Sequence, residues 1–239
     1  MKADGADPKS RLLEFVGQDK VELLGWLQPE DAIVLRLQDK SDWSKQRIVK
    51  IDLATGTAHW PQGFPENEKG VFPSTSPTGR ALIFQSRDMA GNPKHLMLMD
   101  SSTMGLREII AATAAPFYVG STAWTLTGDR FAIRRKGELW VYSLAEDKAE
   151  RVYQWKDALS INSNWLENPV RLGLVESSEK SRTFIILDET YHKTRSMLLP
   201  EFAGETLVGG IGDKALFADW DSRSLWRLDL KTEEWKKVY

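Results

Sequence analysis

Two carboxylates, Glu22 and Glu167, stand on segments whose apolar pattern predicts the opening strand of a repeat, and Glu30 and Asp31 occupy the turn after the first of them. Carboxylates facing each other across a gap can divide the acid and base or nucleophile roles of glycoside cleavage. These positions offer two carboxylates but no ring of them, and a charge on a strand flank is ordinarily solvated. The three histidines, His59, His95 and His192, fall in different repeats near predicted strand ends, with no spacing that converges on a metal. There is no Cys, so thiolate ligands, thiol nucleophiles and disulfides are excluded. No H-E-x-x-H, G-x-S-x-G, G-x-x-x-x-G-K-[ST] or calcium-loop pattern occurs. The reading assigns no catalytic residue, no metal and no cofactor, and the expectation is that the chain is not an enzyme.

Other residue types recur in register. Asp52, Asp100, Asp188 and Asp229 each close a predicted strand. Asp there can accept backbone N–H groups of the following turn, so a structural role is expected over a carboxylate ring. Trp26, Trp124 and Trp165 share one position in the repeat, where packing is expected over a role as stacking platforms.

These positions belong to a repeat that nearly fills the chain. Ile33, Leu82, Phe131, Leu172 and Leu216 anchor five apolar strands, spaced 49, 49, 41 and 44 residues apart. Seven residues before the anchors stand Trp26, Thr75, Trp124, Trp165 and Gly209. Turn formers lie between, such as Ser76-Pro77-Thr78-Gly79 and Thr127-Gly128-Asp129, because Pro presets φ and Gly accepts positive φ. A second apolar strand follows each anchor, then a short third one: Thr57 to Pro61, Leu106 to Ile110, Glu150 to Trp155, Thr194 to Leu199 and Trp235 to Tyr239. A period of 40 to 50 residues with four short strands predicts an all-β β-propeller of five four-stranded antiparallel blades. The blades are expected at approximately 20–62, 70–111, 117–156, 160–200 and 205–239, in one domain spanning 11–239 behind a disordered tail, 1–10. Arg11 to Val16 reads as an extra outer strand. It either pairs with the last blade and removes an exposed sheet edge, or marks the chain as part of a larger propeller.

Trp124-Thr-Leu-Thr-Gly-Asp-Arg-Phe131 and Ser76-Pro-Thr-Gly-Arg-Ala-Leu82 resemble the W-S-P-D-G-x-x-I core of the TolB-type (WD40-like, PD40) propeller repeat, and Phe84 to Asp100 resembles its remainder. The resemblance covers roughly residues 20 to 239, fades in the fourth repeat, lacks the turn Gly in the first and lacks the Trp in the fifth. It implies a blade architecture and a bacterial periplasmic or extracytoplasmic setting, with a cytoplasmic one as the alternative. It also implies a ligand- or protein-binding, sensory module. A blade motif carries no chemistry of its own.

Lys plus Arg number 32 against 34 Asp plus Glu, a net charge of −2 that offers no basic footprint for nucleic acid. No run approaches the 18 or so apolar residues of a membrane-spanning helix, and the polar start of the chain has no signal-peptide pattern. A protein or small-molecule ligand is therefore expected on one propeller face. The loops of that face carry Trp43, Arg87, Asp88 and Trp220, aromatic and charged residues of the kind that anchor partners. The alternative function is a carbohydrate-active propeller, either a glycosidase using Glu22 and Glu167 or a lectin-like sugar binder.

Overall fold

The structure, a computed structural model, describes residues 19–27, 31–39, 46–61, 68–88, 93–111, 117–118, 124–135, 137–156, 158 and 160–239. The tail 1–10, the segment Arg11 to Val16 and Trp43 lie outside them. Two compact units are present, Met1–Ser121 and Thr122–Tyr239. Among the described residues, helix is confined to one 3-10 turn, Glu201–Ala203, and no helix is long and apolar enough to cross a membrane.

In the first unit, β1 (Asp19–Leu27), β2 (Ala32–Asp39), β3 (Gln46–Asp52) and β4 (Ala58–His59) pair in that order as an antiparallel sheet. β5 (Glu68–Thr75), β6 (Ala81–Asp88), β7 (Pro93–Asp100) and β8 (Leu106–Ala111) form a second such sheet. The two share a core in which Leu27, Val34 and Ile48 meet Leu82, Phe84, Met97 and Met99. A two-residue strand, β9 (Phe117–Tyr118), follows.

The second unit begins with β10 (Arg130–Arg135), β11 (Glu138–Ser143) and β12 (Lys148–Gln154), again antiparallel, with Trp124 bridged to Phe131. β13 (Ser160–Glu167), β14 (Arg171–Ser177), β15 (Arg182–Leu187) and β16 (Lys193–Leu198) make four strands. β17 (Thr206–Ile211), β18 (Lys214–Asp219), β19 (Ser224–Asp229) and β20 (Trp235–Lys237) make four more. These two sets are continuous, because β13 and β17 pair in parallel at Leu166–Gly210 and Glu167–Ile211. So close an approach suits glycine. A Cβ on Gly210 would meet the Lys214 carbonyl oxygen at 2.3 Å and Leu166 Cδ2 at 2.8 Å.

The seven-residue spacing of the sequence is a cross-strand register. Trp26 opposes Ile33, Thr75 opposes Leu82, Trp124 opposes Phe131, Trp165 opposes Leu172 and Gly209 opposes Leu216. Strand β14 is buried on both faces. Leu172 and Leu174 pack with Ala132 and Val141, while Val175 packs with Phe217 and Leu228. That double burial accounts for its continuous apolar run, where a half-buried strand would alternate.

The repeated aspartates hold turns, as their position predicted. Asp52 Oδ1 accepts the N–H groups of Ala54 and Thr55, both at 2.9 Å. Asp100, Asp188 and Asp229 do the same for Ser102, Thr190 and Lys231 at 2.8, 2.9 and 2.9 Å. Each turn thus satisfies donors that the strand ladder leaves over.

Candidate functional site: an apolar cavity with a buried carboxylate

The residues expected to bind are divided between the two units. Trp43 lies outside the described residues. Arg87 and Asp88 fall in strand β6, in register with Lys69 and Glu68, instead of in a loop. Trp220 belongs to the second unit. It sits in the turn between β18 and β19 with 71% of its surface exposed, and its indole N–H donates to Thr206 Oγ1 at 3.0 Å. That bond lays the ring back on its own sheet.

The proposed carboxylates separate in character. Glu22 is exposed and bridged to Arg36 across β1 and β2, as a solvated strand charge should be. Glu30 lies outside the described residues, and Asp31 is exposed. Glu167 corrects the expectation of solvation, for it is only 7% exposed. It ends β13 at the parallel contact with β17, and its Oε1 accepts the N–H of Leu126 at 2.8 Å. Among the described residues nothing donates to its other oxygen, Oε2.

Glu167 lines a cavity of about 440 Å3 within the second unit, whose walls are mainly apolar. Three elements supply most of it, with Leu216 of β18 beside them. Trp124 and Leu126 come from the turn before β10, Asn164, Trp165 and Glu167 from β13, and Val208 to Ile211 from β17. Asn164 fastens two of them. Its Nδ2 donates to the Val208 carbonyl at 2.6 Å, and its Oδ1 accepts the N–H of Trp165 at 2.8 Å. Asn162 Oδ1 adds a bond from the Leu207 N–H at 2.9 Å. The indoles of Trp124 and Trp165 are 6% and 3% exposed, so they back the cavity as packing groups. Leu126, Val208 and Ile211 are exposed, so the lining keeps aliphatic surface open to solvent.

Two cations complete the lining. Lys214 is already engaged by Asp229. Arg227 is exposed and has no ion pair among the described residues. The cavity thus offers one uncommitted charge of each sign beside an aliphatic surface. No His, Asp and Glu cluster spaced for a metal occurs among the described residues. His192 Nδ1 lies 2.8 Å from Thr190 Oγ1, and His95 Nδ1 lies 3.1 Å from Glu108 Oε1.

Trp26 also departs from expectation. It shares the register of Trp124 and Trp165 but is 53% exposed, because register fixes the cross-strand partner and not what covers the opposite side. Sequence reasoning named Trp124, Trp165 and Glu167 but took them as packing and solvated groups. Leu126, Val208, Ile211 and Arg227 went unread: Leu126 fills a turn position of the Trp124–Phe131 motif, and the other three belong to no motif.

No protein-family model matches the chain, and no curated protein matches it. Solved structures do. An oligogalacturonate lyase in complex with manganese matches with a TM-score of 0.61 at 15% identity, over 90% of this chain and 64% of its own. TolB from Acinetobacter baumannii matches at 0.53 and 17%, over 91% of this chain and 53% of its own. The β-propeller domain of a trilobed protease from Pyrococcus furiosus matches at 0.58 and 13%, over 94% and 72%. The chain therefore spans less than two thirds of the length of the lyase and TolB structures. The expectation that the chain is not an enzyme is corrected by these matches: a lyase and a protease propeller share its fold, so missing motifs do not place it apart from enzymes. At such identities the likeness reaches the architecture, and the chain has the β-propeller fold that TolB also has.

Proposed function

We propose that this chain is a ligand-binding β-propeller of TolB-like type, and that the cavity of its second unit receives the ligand. Glu167 carries this reading. A carboxylate on a residue only 7% exposed, with one oxygen fixed by the Leu126 N–H and the other open and without a donor among the described residues, is oriented to accept hydrogen bonds from a ligand in the cavity. The cavity volume of about 440 Å3 falls within the roughly 300–1,000 Å3 usual for small-molecule sites, and its mostly apolar wall with a few polar groups has their usual composition. A sugar is the second reading, favoured by indoles standing behind a carboxylate.

Thermal unfolding against a panel of small molecules that includes amino acids, peptides and oligosaccharides tests the proposal. A ligand that binds only the folded state raises the melting temperature, with about 2.7 kcal/mol at one hundred times its Kd. Val208→Trp should fill the cavity from an exposed position, leave the unliganded melting temperature nearly unchanged, and abolish the shift. A shift that survives Val208→Trp, or no shift with any compound, sinks the reading.

A further inference from the structure

We infer that the cavity recognises an aliphatic zwitterion the size of a dipeptide, its free ammonium on Glu167 and its free carboxylate on Arg227. The inference rests on the cavity being the ligand site and adds the chemistry of the ligand.

Charge decides the class. Glu167 Oε1 is satisfied by the Leu126 N–H, while Oε2 has no donor among the described residues. A buried carboxylate is met best by a charged donor, whose hydrogen bonds are roughly twice as strong as neutral ones. A purely cationic ligand, however, would sit beside Arg227, which has no ion pair among the described residues to neutralise it. A purely anionic ligand would meet Glu167. Lys214 does not alter the balance, because Asp229 holds its ammonium. A ligand with one charge of each sign satisfies both groups, and the planar guanidinium suits a carboxylate in two parallel bonds.

The body of the ligand follows from the rest of the lining. Leu126, Val208 and Ile211 present exposed aliphatic surface, and covering it with apolar groups removes it from water, which favours binding. A neutral sugar would cover that surface with hydroxyls and leave both charges with neutral partners. An unblocked aliphatic dipeptide covers it with methyl groups.

Isothermal titration at neutral pH with L-leucyl-L-leucine, its N-acetyl form, its C-terminal amide and maltose tests this. The free dipeptide should bind, and blocking either end should weaken binding at least tenfold. Glu167→Gln keeps an acceptor for the Leu126 N–H and should bind free and N-acetylated dipeptide equally. Arg227→Gln should bind free dipeptide and its amide equally. Blocked forms that bind as tightly as the free one, or maltose binding in place of the dipeptide, overturn the inference. Suppose no dipeptide binds while another compound shifts the melting temperature and Val208→Trp removes that shift. Then the zwitterion fails and the cavity stands. If no compound acts through the cavity, both fail.

Discussion

At the scale of single residues, one register position holds side chains with opposite fates. Trp124 is buried, its ring 4.6 Å from that of Phe131, which in turn lies 5.1 Å from Tyr142. Trp26 faces its own partner, Ile33, with half its surface open. Trp124→Ala should therefore cost about 3–5 kcal/mol, the usual loss for a buried large aromatic. Trp26→Ala should cost about 1 kcal/mol or less, as an exposed change. Chemical denaturation of both variants checks this. Equal losses would show that the register itself, and not burial, sets the contribution. Glu167 shows why the site was harder to read than the fold. Its neighbours in sequence, Leu166 and the Asn168-Pro169 turn, make it look like an exposed strand end. Leu126, which donates to it, lies 41 residues away. A spacing repeat announces which residues oppose each other within a hairpin, but it is silent on contacts made by a strand end with another repeat.

At the scale of elements, the strand-closing aspartates explain how short hairpins are held. Asp229 ends β19 and accepts from Lys214 and from the Lys231 N–H, and these bonds hold its carboxyl down at about 2, below the ordinary aspartate value of 3.8. Asp188 is lowered too, first by the Thr190 hydroxyl and then by the His192 N–H. A carboxyl whose folded pKa lies below its unfolded one adds stability that is present above the unfolded value and disappears as pH falls through the folded value. Asp229→Asn keeps an acceptor for the turn but removes the charge opposite Lys214. Its melting temperature should be lower than the parent's at pH 7. The gap should narrow from about pH 3.8 downward and close near pH 2. A gap that stays constant over that range would mean that the charge contributes nothing and that side-chain geometry alone matters. The turn role of these aspartates was readable beforehand because the backbone N–H groups they accept sit two to four residues on, within the reach of local sequence.

At the scale of the whole molecule, the apolar inner strands are buried, β14 on both faces, whereas β4, β12, β16 and β20 have no buried position. β14 is buried nearly throughout, and β6 is buried over every position from Ala81 to Ser86. β16, by contrast, alternates between exposed and half-buried positions and has no buried one. Part of this order was visible in the sequence, where the anchors sit in apolar runs and a short third strand follows each pair. The parallel pairing of β13 with β17 was not visible, since it joins the ends of strands from two repeats and no local pattern announces it. Burial of this kind sets the free energy of local opening, which falls towards zero where few apolar contacts must be broken. Amide hydrogen exchange should therefore be slowest in β14 and β18 of the second unit and in β2 and β6 of the first, and fastest in β4, β16 and β20. The Leu126 amide should exchange slowly although its side chain is exposed, because its N–H is held by a buried carboxylate. Added ligand should slow it further, together with Val208 to Ile211. Outer strands as protected as β14 would contradict this ordering of the core, and a Leu126 amide that exchanges at the rate of an open turn would remove the hydrogen bond on which the reading of Glu167 depends.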